Sequence, residues 1–547
     1  MTIAIIAAFI IGEYPESVAI VLLFKLGEVI ENKAVEKANQ NINSIASLKI
    51  QTANKISEKE TKTVNVEELK IGDTILIKPG ETVPVDCLIL KGESALDTSK
   101  LTGESKPVYV KEKNEILSGS INQTGTLKCK AIKEYKDSAI SKIVDLVYEA
   151  TNNKGKKEEY ITRFSKIYTP VVIVIAILLA IVPAILGGDF VGWLNRALVF
   201  LVASCPCSIV ISIPLAYFSC IGAISKKGLL IKGTKHIEDL AKAKVLALDK
   251  TGTITTGKMK VQEFNLLQNI KDSNELDKQK ILQYAYSLEV NSNHPISNAI
   301  IEYAKEKEIT TLEVEEQKEI AGCGIYGKID GKDVIIGNKK MLDKYHITFE
   351  KIQENAILIA VDGKIAANFI LEENIREGFR ETLSKLYDIG IKKVIMLTGD
   401  NNEEAKKIAK ECGKIDYKAK LMPEGKVEEI NKLKQLGKVM FIGDGINDSP
   451  VLATSDFGIA MGEGTDIAET TADSILISNN IESLPTIIKV ARKTIRIVNQ
   501  NITISLLAKL IVLILGILGI APVWLAVAAD TGITLLTVIN SIRIFNK

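Results

Sequence analysis

Three aspartates close three apolar runs: Asp249 after "KVLAL", Asp400 after "KKVIMLTG" and Asp444 after "KVMFIG", with Asp448 four residues further on. An apolar run ending on an acid and a glycine turn reads as a strand of a parallel α/β sheet, whose carboxyl end carries the chemistry. A carboxylate placed there can attack a phosphorus atom and form an aspartyl phosphate. Neighbouring carboxylates suit Mg²⁺, which takes oxygen ligands and offsets charge on the transferred group. Thr251, Thr398, the glycine-rich turns and Lys426 supply donors and positive charge for phosphoryl oxygens. One aspartate at a strand end is usually a turn or cap residue; three in this setting argue for phosphoryl transfer.

A second constellation is of another kind. Cys205 and Cys207 flank Pro206 in "FLVASCPCSIVISIPL", and no charged residue occurs between Arg196 and Lys226. As straight helix, at about 1.5 Å per residue, that interval outspans a hydrocarbon core of about 30 Å. Pro206 removes a backbone donor, so the helix breaks or kinks at the cysteines. Broken helices at membrane depth line sites or cavities, and two thiols there read as soft ligands for something passing through.

The elements that position these groups follow from the hydropathy map. Further apolar runs lie at 3–11, at 18–26, in "YTPVVIVIAILLAIVPAILGG" (168–188) and across 506–542, where two helices divide near Pro522. Basic flanks, "SKKGLLIKGTK" and "KVARKTIR", adjoin the long polar block, which the positive-inside rule places in the cytoplasm. Residues 48–135 alternate β-branched residues with Gly, Pro and Asp and read as a small β domain. Residues 257–373 read as an insertion with strands and helices of their own. Net charge is +2 for 547 residues, giving no electrostatic case for nucleic acid. Five of the seven cysteines show no spacing pattern; we read no disulfide framework and expect a reducing compartment.

In chain order, "TGES" (102–105), "DKTGTIT" (249–255), "TGDN" (398–401) and "GDGIND" (443–448) resemble the P-type ATPases, and the membrane Cys-Pro-Cys with "NHP" (293–295) resembles their heavy-metal branch. The resemblance covers essentially the whole chain. It implies a multi-domain membrane protein: an α-helical transmembrane bundle, a β actuator domain, a haloacid dehalogenase-like α/β phosphorylation domain with a parallel sheet, and an α+β nucleotide-binding domain. The expected boundaries are 1–35 for two transmembrane helices (the first cut short), 36–160 actuator, and 161–225 a helix pair with Cys-Pro-Cys. Phosphorylation-domain parts at 226–256 and 374–492 flank the nucleotide-binding domain at 257–373, and 493–547 hold the last helix pair.

By this resemblance Asp249 is the residue phosphorylated by ATP, and Glu104 is the base for water that hydrolyses the phosphoenzyme. Lys250, Thr251, Thr253, Thr398, Gly399, Asp400 and Lys426 surround the transferred group. Mg²⁺ falls to Asp249, Thr251, Asp444 and Asp448. "AGCGIYG" (321–327) has a GxGxxG pattern without the strand and βαβ unit that a dinucleotide site needs; it matches instead the glycine pair used against ATP, giving Gly322 and Gly324. Glu289, His294 and Asn338 join them.

Thiolates favour Cu(I), Zn²⁺, Cd²⁺ and other soft or borderline ions. After Met461 the chain has no Met, Cys or Tyr, but its last apolar block holds Lys509 and Asp530. Intramembrane charges are costly and usually functional or paired. A carboxylate adds a hard oxygen and a negative charge that suit a divalent ion, and a lysine neutralises the site once the ion has left. Lys509 with Asp530-x-Gly532 resembles the Zn²⁺/Cd²⁺/Pb²⁺ subgroup, so the expected ligands are Cys205, Cys207 and Asp530, with Lys509 as countercharge and Glu16 (or the nearby Glu13) as an exit-path carboxylate. The implied activity is ATP-driven export of such ions across the cell membrane, with ATP and Mg²⁺ as cofactors, the lipid bilayer as partner, no nucleic acid, and a monomer.

Departures from the family pattern are the absence of two helices and a CxxC module ahead of the core, Cys87 in place of the glycine of "PVDG", and Ile254 in place of leucine. The alternatives are a Cu(I) exporter, a shortened core that hydrolyses ATP without full transport, a membrane-anchored dehalogenase-type phosphatase, and a non-catalytic metal-binding protein. The last two leave either the thiols or the phosphorylation set unexplained.

Overall fold

Val245, Leu246, Ala247 and Leu248 are all fully buried, as a strand covered on both faces requires. They belong to β2 (Ala243–Asp249) at the heart of a seven-stranded sheet with β1 (Leu229–Ile231), β3 (Lys393–Leu397), β4 (Asp416–Lys418), β5 (Lys438–Gly443), β6 (Phe457–Met461) and β7 (Ser474–Leu476). The order is β1-β7-β6-β5-β2-β3-β4. All neighbours are parallel except β1 with β7. Asp249 pairs in register with Leu397, so the acid of β2 and the loops after β3 and β5 emerge at one sheet edge, where ligands bind in such sheets.

The structure, a computed structural model, describes the chain except residues 1–4, 7, 8, 10–13, 47–49, 51, 58, 59, 99–106, 139, 142–155, 268–276, 293, 321, 322, 348–355, 414, 445–447, 463–470, 478, 546 and 547. It divides into two units, one made of 1–249 with 380–547 and the other Lys250–Phe379.

In the first unit, four segments are long and apolar enough to cross a membrane: Lys166–Ile185, Phe190–Ser225, Ile481–Ile517 and Val523–Ile542. Their helices are α2 (Lys156–Ile185), α3 (Phe190–Ala203), α4 (Cys207–Ser225), α5 (Leu484–Ile517) and α6 (Val523–Ile542), preceded by α1 (Tyr14–Ala46). Val174, Ile177 and Leu178 of α2 and Leu506, Leu510 and Ile514 of α5 stand exposed, the pattern of lipid-facing helix surfaces. α1 packs closely on α6: a Cβ on Gly27 would lie 2.5 Å from Thr531 Cγ2. The 34-residue α5 runs unbroken from the sheet into the apolar bundle. Near its start Arg492 is fastened to the sheet, donating from Nε to Ala241 O and from Nη2 to Ala243 O, each at 3.0 Å, and from Nη1 to Ile389 O.

Between α2 and the N-terminal helix, strands from Thr52 to Ala131 form a six-stranded and a three-stranded antiparallel sheet. Cys87 and Cys129 both lie in the core of this β domain with Ile75, Ile77 and Leu127, so a cysteine is accommodated where the related pattern has glycine.

The second unit is a six-stranded antiparallel sheet in the order Thr255–Leu266, Lys364–Ile375, Ala356–Val361, Lys332–Gly337, Gly324–Ile329, Glu315–Ile320. Helices Lys278–Glu289 and Pro295–Glu306 cover it, around a core that includes Phe264, Ile281, Leu288, Ile300 and Phe369.

Candidate functional site

At the sheet edge, Asp249, Asp444 and Asp448 each offer a carboxylate oxygen, and these atoms lie within 4.8 Å of one another. Lys426, from the helix Pro423–Leu433, reaches between two of them: its Nζ is 2.5 Å from Asp249 Oδ1 and 2.8 Å from Asp448 Oδ1. All three of these paired groups are at least nine-tenths buried. Burial, then the Asp448 charge, pushes the Asp249 carboxyl up to about 7 against the pull of Lys426. Burial works to lower the Lys426 ammonium, but the two carboxylates outweigh it and hold it above the ordinary lysine range. Gly443 makes the approach possible, because a Cβ there would lie 2.5 Å from Asp448 Oδ2. Three converging carboxylates fit a small oxygen-seeking dication, and a lysine between them fits phosphoryl oxygens.

The other expected phosphoryl contacts are partly spoken for. Thr398 Oγ1 donates to Asp400 Oδ2 at 2.8 Å and accepts from the Asp400 amide at 3.1 Å, so these two close their own loop, with Gly399 between them. In the second unit, Lys250 Nζ pairs with Glu373 at 3.0 Å and Thr255 Oγ1 donates to the same carboxylate at 2.6 Å. Arg376 donates to the carbonyls of Gly252 and Thr253, at 2.6 and 3.0 Å. The Thr253 hydroxyl is fully buried, with no hydrogen-bond partner among the described residues. Glu373 and Arg376 carry no motif and are found only by the fold. Glu104 lies outside the described residues, as does Gly322.

The second unit holds a cavity of about 230 Å³ lined by Glu289, His294, Gly324 and Asn338, together with Ser297, Glu319, Cys323 and Gly337, which sequence reasoning had not singled out. Cys323 is half-buried there and packs against the cluster of Ile335, Met341 and Leu358. His294 caps the helix Pro295–Glu306, its Nδ1 accepting from the Ile296 amide at 3.2 Å. Asn338 caps the next helix through its Oδ1. Ser297 Oγ donates to Glu289 Oε2 at 2.5 Å. Burial, with the Glu319 charge adding to it, pushes Glu289 up to about 7 despite that bond. Gly324 has φ +154°, and a Cβ there would run into the Ile336 carbonyl, so two bare backbone strands form one wall, open to a flat ligand.

In the membrane bundle the chain breaks between α3 and α4. Ser204 caps α3, Pro206 has no amide to continue it, and the Pro206 carbonyl accepts from the amides of Ile209 and Val210, each at 3.1 Å, to start α4. Cys205 and Cys207 sit on either side of this turn, and their sulfurs and an Asp530 oxygen lie within 4.8 Å of one another. Lys509 Nζ donates to Asp530 Oδ1 at 2.7 Å and to the Cys205 carbonyl. Cys205 and Cys207, expected as two thiols, are bonded to each other in this structure, their Cα atoms 5.5 Å apart. Residues flanking one proline in a broken helix hold their sulfurs in mutual reach, so the same turn serves a bonded or a reduced pair. Glu16 lies on α1, its side chain outside the described residues.

Residues 47–148 match the family model of the P-type ATPase actuator domain, and residues 243–456 and 426–488 match models of haloacid dehalogenase-like hydrolases. The cadmium, zinc and cobalt-transporting ATPase of Bacillus subtilis is 40% identical over 100% of this chain and 78% of its own length. The zinc-transporting ATPase of Synechocystis is 39% identical over 100% of this chain and 76% of its own length. A crystal structure of a zinc-transporting PIB-type ATPase in the E2·Pi state superimposes with a TM-score of 0.63 at 33% identity, covering 100% of this chain and 90% of that one.

Proposed function

The chain belongs to the P-type ATPases, and we propose that it exports soft divalent metal ions, Zn²⁺ and Cd²⁺ with Pb²⁺ as a further substrate, from the cytoplasm at the cost of ATP. It is an integral protein of the cell membrane with its large domains cytoplasmic. One observation carries the choice of ion: two sulfurs, a carboxylate and a lysine meet at a helix break inside the apolar bundle. A hard oxygen beside two soft sulfurs suits a borderline dication better than Cu(I). The ligating form is the reduced pair, since thiolates bind metals.

In the proposed cycle ATP lies in the cavity of Glu289, His294, Gly324 and Asn338, with Gly322 assigned to the nucleotide from the sequence motif alone. A carboxylate oxygen of Asp249 attacks the γ-phosphorus, the bond from that phosphorus to the β,γ-bridging oxygen breaks, and ADP leaves carrying the bridging oxygen. Lys426, Lys250, Thr251, Thr253, Thr398, Gly399 and Asp400 steady the phosphoryl group. Asp249, Thr251, Asp444 and Asp448 would hold Mg²⁺, which neutralises charge on the transferred oxygens. Water, relieved of its proton by Glu104, later attacks the phosphorus and frees Asp249. Lys509 takes over the charge of Asp530 when the ion departs, past Glu16. The functional unit proposed is a monomer, divided at the boundaries read from the sequence.

The test is acid-stable phosphoenzyme from labelled ATP with each metal in turn. Label that requires Zn²⁺ or Cd²⁺ and vanishes in Asp249→Asn and Cys205→Ala supports the reading. Asp530→Ala abolishes the Zn²⁺ response; Cu(I)-driven label that survives this change would make the chain a copper pump instead.

A further inference from the structure

Where α5 and α6 leave the apolar bundle on the sheet side, a cavity of about 720 Å³ opens between them, lined by Arg492, Arg496, Arg543, Asn499, Gln500 and Asn540, with Thr503 and two isoleucines. A second cavity, of about 470 Å³, shares Arg492 and adds Lys242, Lys244 and Lys438. The larger lining contains no carboxylate among the described residues; at the smaller, Lys242 pairs with Glu238 and Lys438 with Asp239 and Asp456. Arg492 is spent on three backbone carbonyls. Arg543 donates to Asn540 Oδ1 at 2.8 Å, and both Arg543 and Arg496 are exposed.

The depth of the larger cavity is fixed by the sequence. Arg496 precedes Lys509 by thirteen residues, and Arg543 follows Asp530 by thirteen. Each interval is about 20 Å of helix rise, against about 15 Å for half a hydrocarbon core. With the proposed ion site taken near mid-membrane, both arginines lie at headgroup level on the cytoplasmic side, with Ile504 deeper along α5. A basic flank that only obeyed the positive-inside rule has no need of a shared concavity. Here two arginines, with their planar forks for phosphate, line one concavity with three amides and the deeper Ile504.

We propose that this cavity binds the phosphodiester headgroup of an anionic phospholipid from the cytoplasmic leaflet, Arg496 and Arg543 holding the phosphate and Asn499, Gln500 and Asn540 the headgroup hydroxyls. The full chain, reconstituted in phosphatidylcholine mixed with phosphatidylglycerol, is examined by native mass spectrometry for retained lipid, a readout independent of pumping. Wild type retains phosphatidylglycerol selectively. Arg496→Gln with Arg543→Gln weakens that retention roughly thirtyfold, from about fivefold for each basic side chain beside an anionic headgroup. Arg163→Gln with Lys166→Gln removes equal charge from α2 and leaves retention unchanged. Equal loss in both pairs means a diffuse surface charge and overturns the proposal. Unselective retention by wild type overturns it too, as does displacement of the lipid by inorganic phosphate, which would reassign the cavity to free anions. Should the double variant fail to fold, Arg496→Glu alone carries the same test.

Discussion

Replacing Lys426 with alanine removes the one cation between Asp249 and Asp448, 2.5 Å from the first and 2.8 Å from the second. Two consequences follow. The buried carboxylates lose their partner, a change worth about 3–5 kcal/mol when one member of a buried pair is deleted. Asp249, already pushed up to about 7 with the lysine present, rises further while the site holds no dication. In addition, phosphoryl oxygens lose a charged donor, and loss of one such donor costs about 10²–10³ in rate. Rapid-quench phosphorylation from labelled ATP at saturating metal and Mg²⁺ should therefore slow by at least about 10²-fold in Lys426→Ala. Lys426→Arg should recover part of the loss by restoring the charge. Apparent Mg²⁺ affinity should rise in the alanine variant, because Lys426 no longer competes with the dication for Asp249 and Asp448. A folded Lys426→Ala protein that phosphorylates within about threefold of wild type, where a lost donor predicts far more, would refute the assignment of this lysine to the transferred group.

Glu289→Gln tests the nucleotide cavity through pH. The carboxyl titrates near 4.5 when unfolded and at about 7 when folded, so below 4.5 both states are protonated and burial costs nothing. Between those values only the unfolded chain ionises, and stability falls as pH rises. The glutamine variant should thus gain about 3 kcal/mol above pH 7 and under about 1 kcal/mol at pH 5, read by urea-dependent amide exchange in the second unit; a gain that grows toward acid pH contradicts the burial argument. Gly443→Ala drives a Cβ to 2.5 Å from Asp448 Oδ2; displacing one of three converging carboxylates should raise the Mg²⁺ needed for half-maximal phosphorylation by about 10-fold or more, and an unchanged Mg²⁺ dependence rules out a ligand role for Asp448. Gly27→Leu wedges α1 from Thr531, the neighbour of Asp530, at an overpacking cost of about 1–3 kcal/mol; metal-stimulated turnover should fall while metal-free ATP binding persists, and equal loss of both would indicate general misfolding.

What was legible in the sequence was whatever is local. The break at 204–206 follows from one proline, and the three aspartates follow from runs of buried strand residues closing on turns. The membrane segments follow from length and hydropathy alone. Contacts between distant stretches were not legible. Nothing near Lys250 announces Glu373, more than a hundred residues away, and nothing near Glu289 marks Ser297 as its partner. Cys323 looks like any isolated cysteine until the turn before Gly324 brings it to the cavity wall. The bond between Cys205 and Cys207 was missed because the spacing was read for ligands alone.

α5 is pinned to the base of β2 through Arg492, and β2 ends in Asp249. Lys509 lies seventeen residues further along the same rod, about 25 Å away. A tilt of about 10° about the pin would sweep Lys509 through an arc of about 4 Å, taking the helix as rigid over that length. Its hold on Asp530 is a single 2.7 Å contact. A lever of that length turns a tilt too small to disturb the sheet into a displacement larger than the contact it must break.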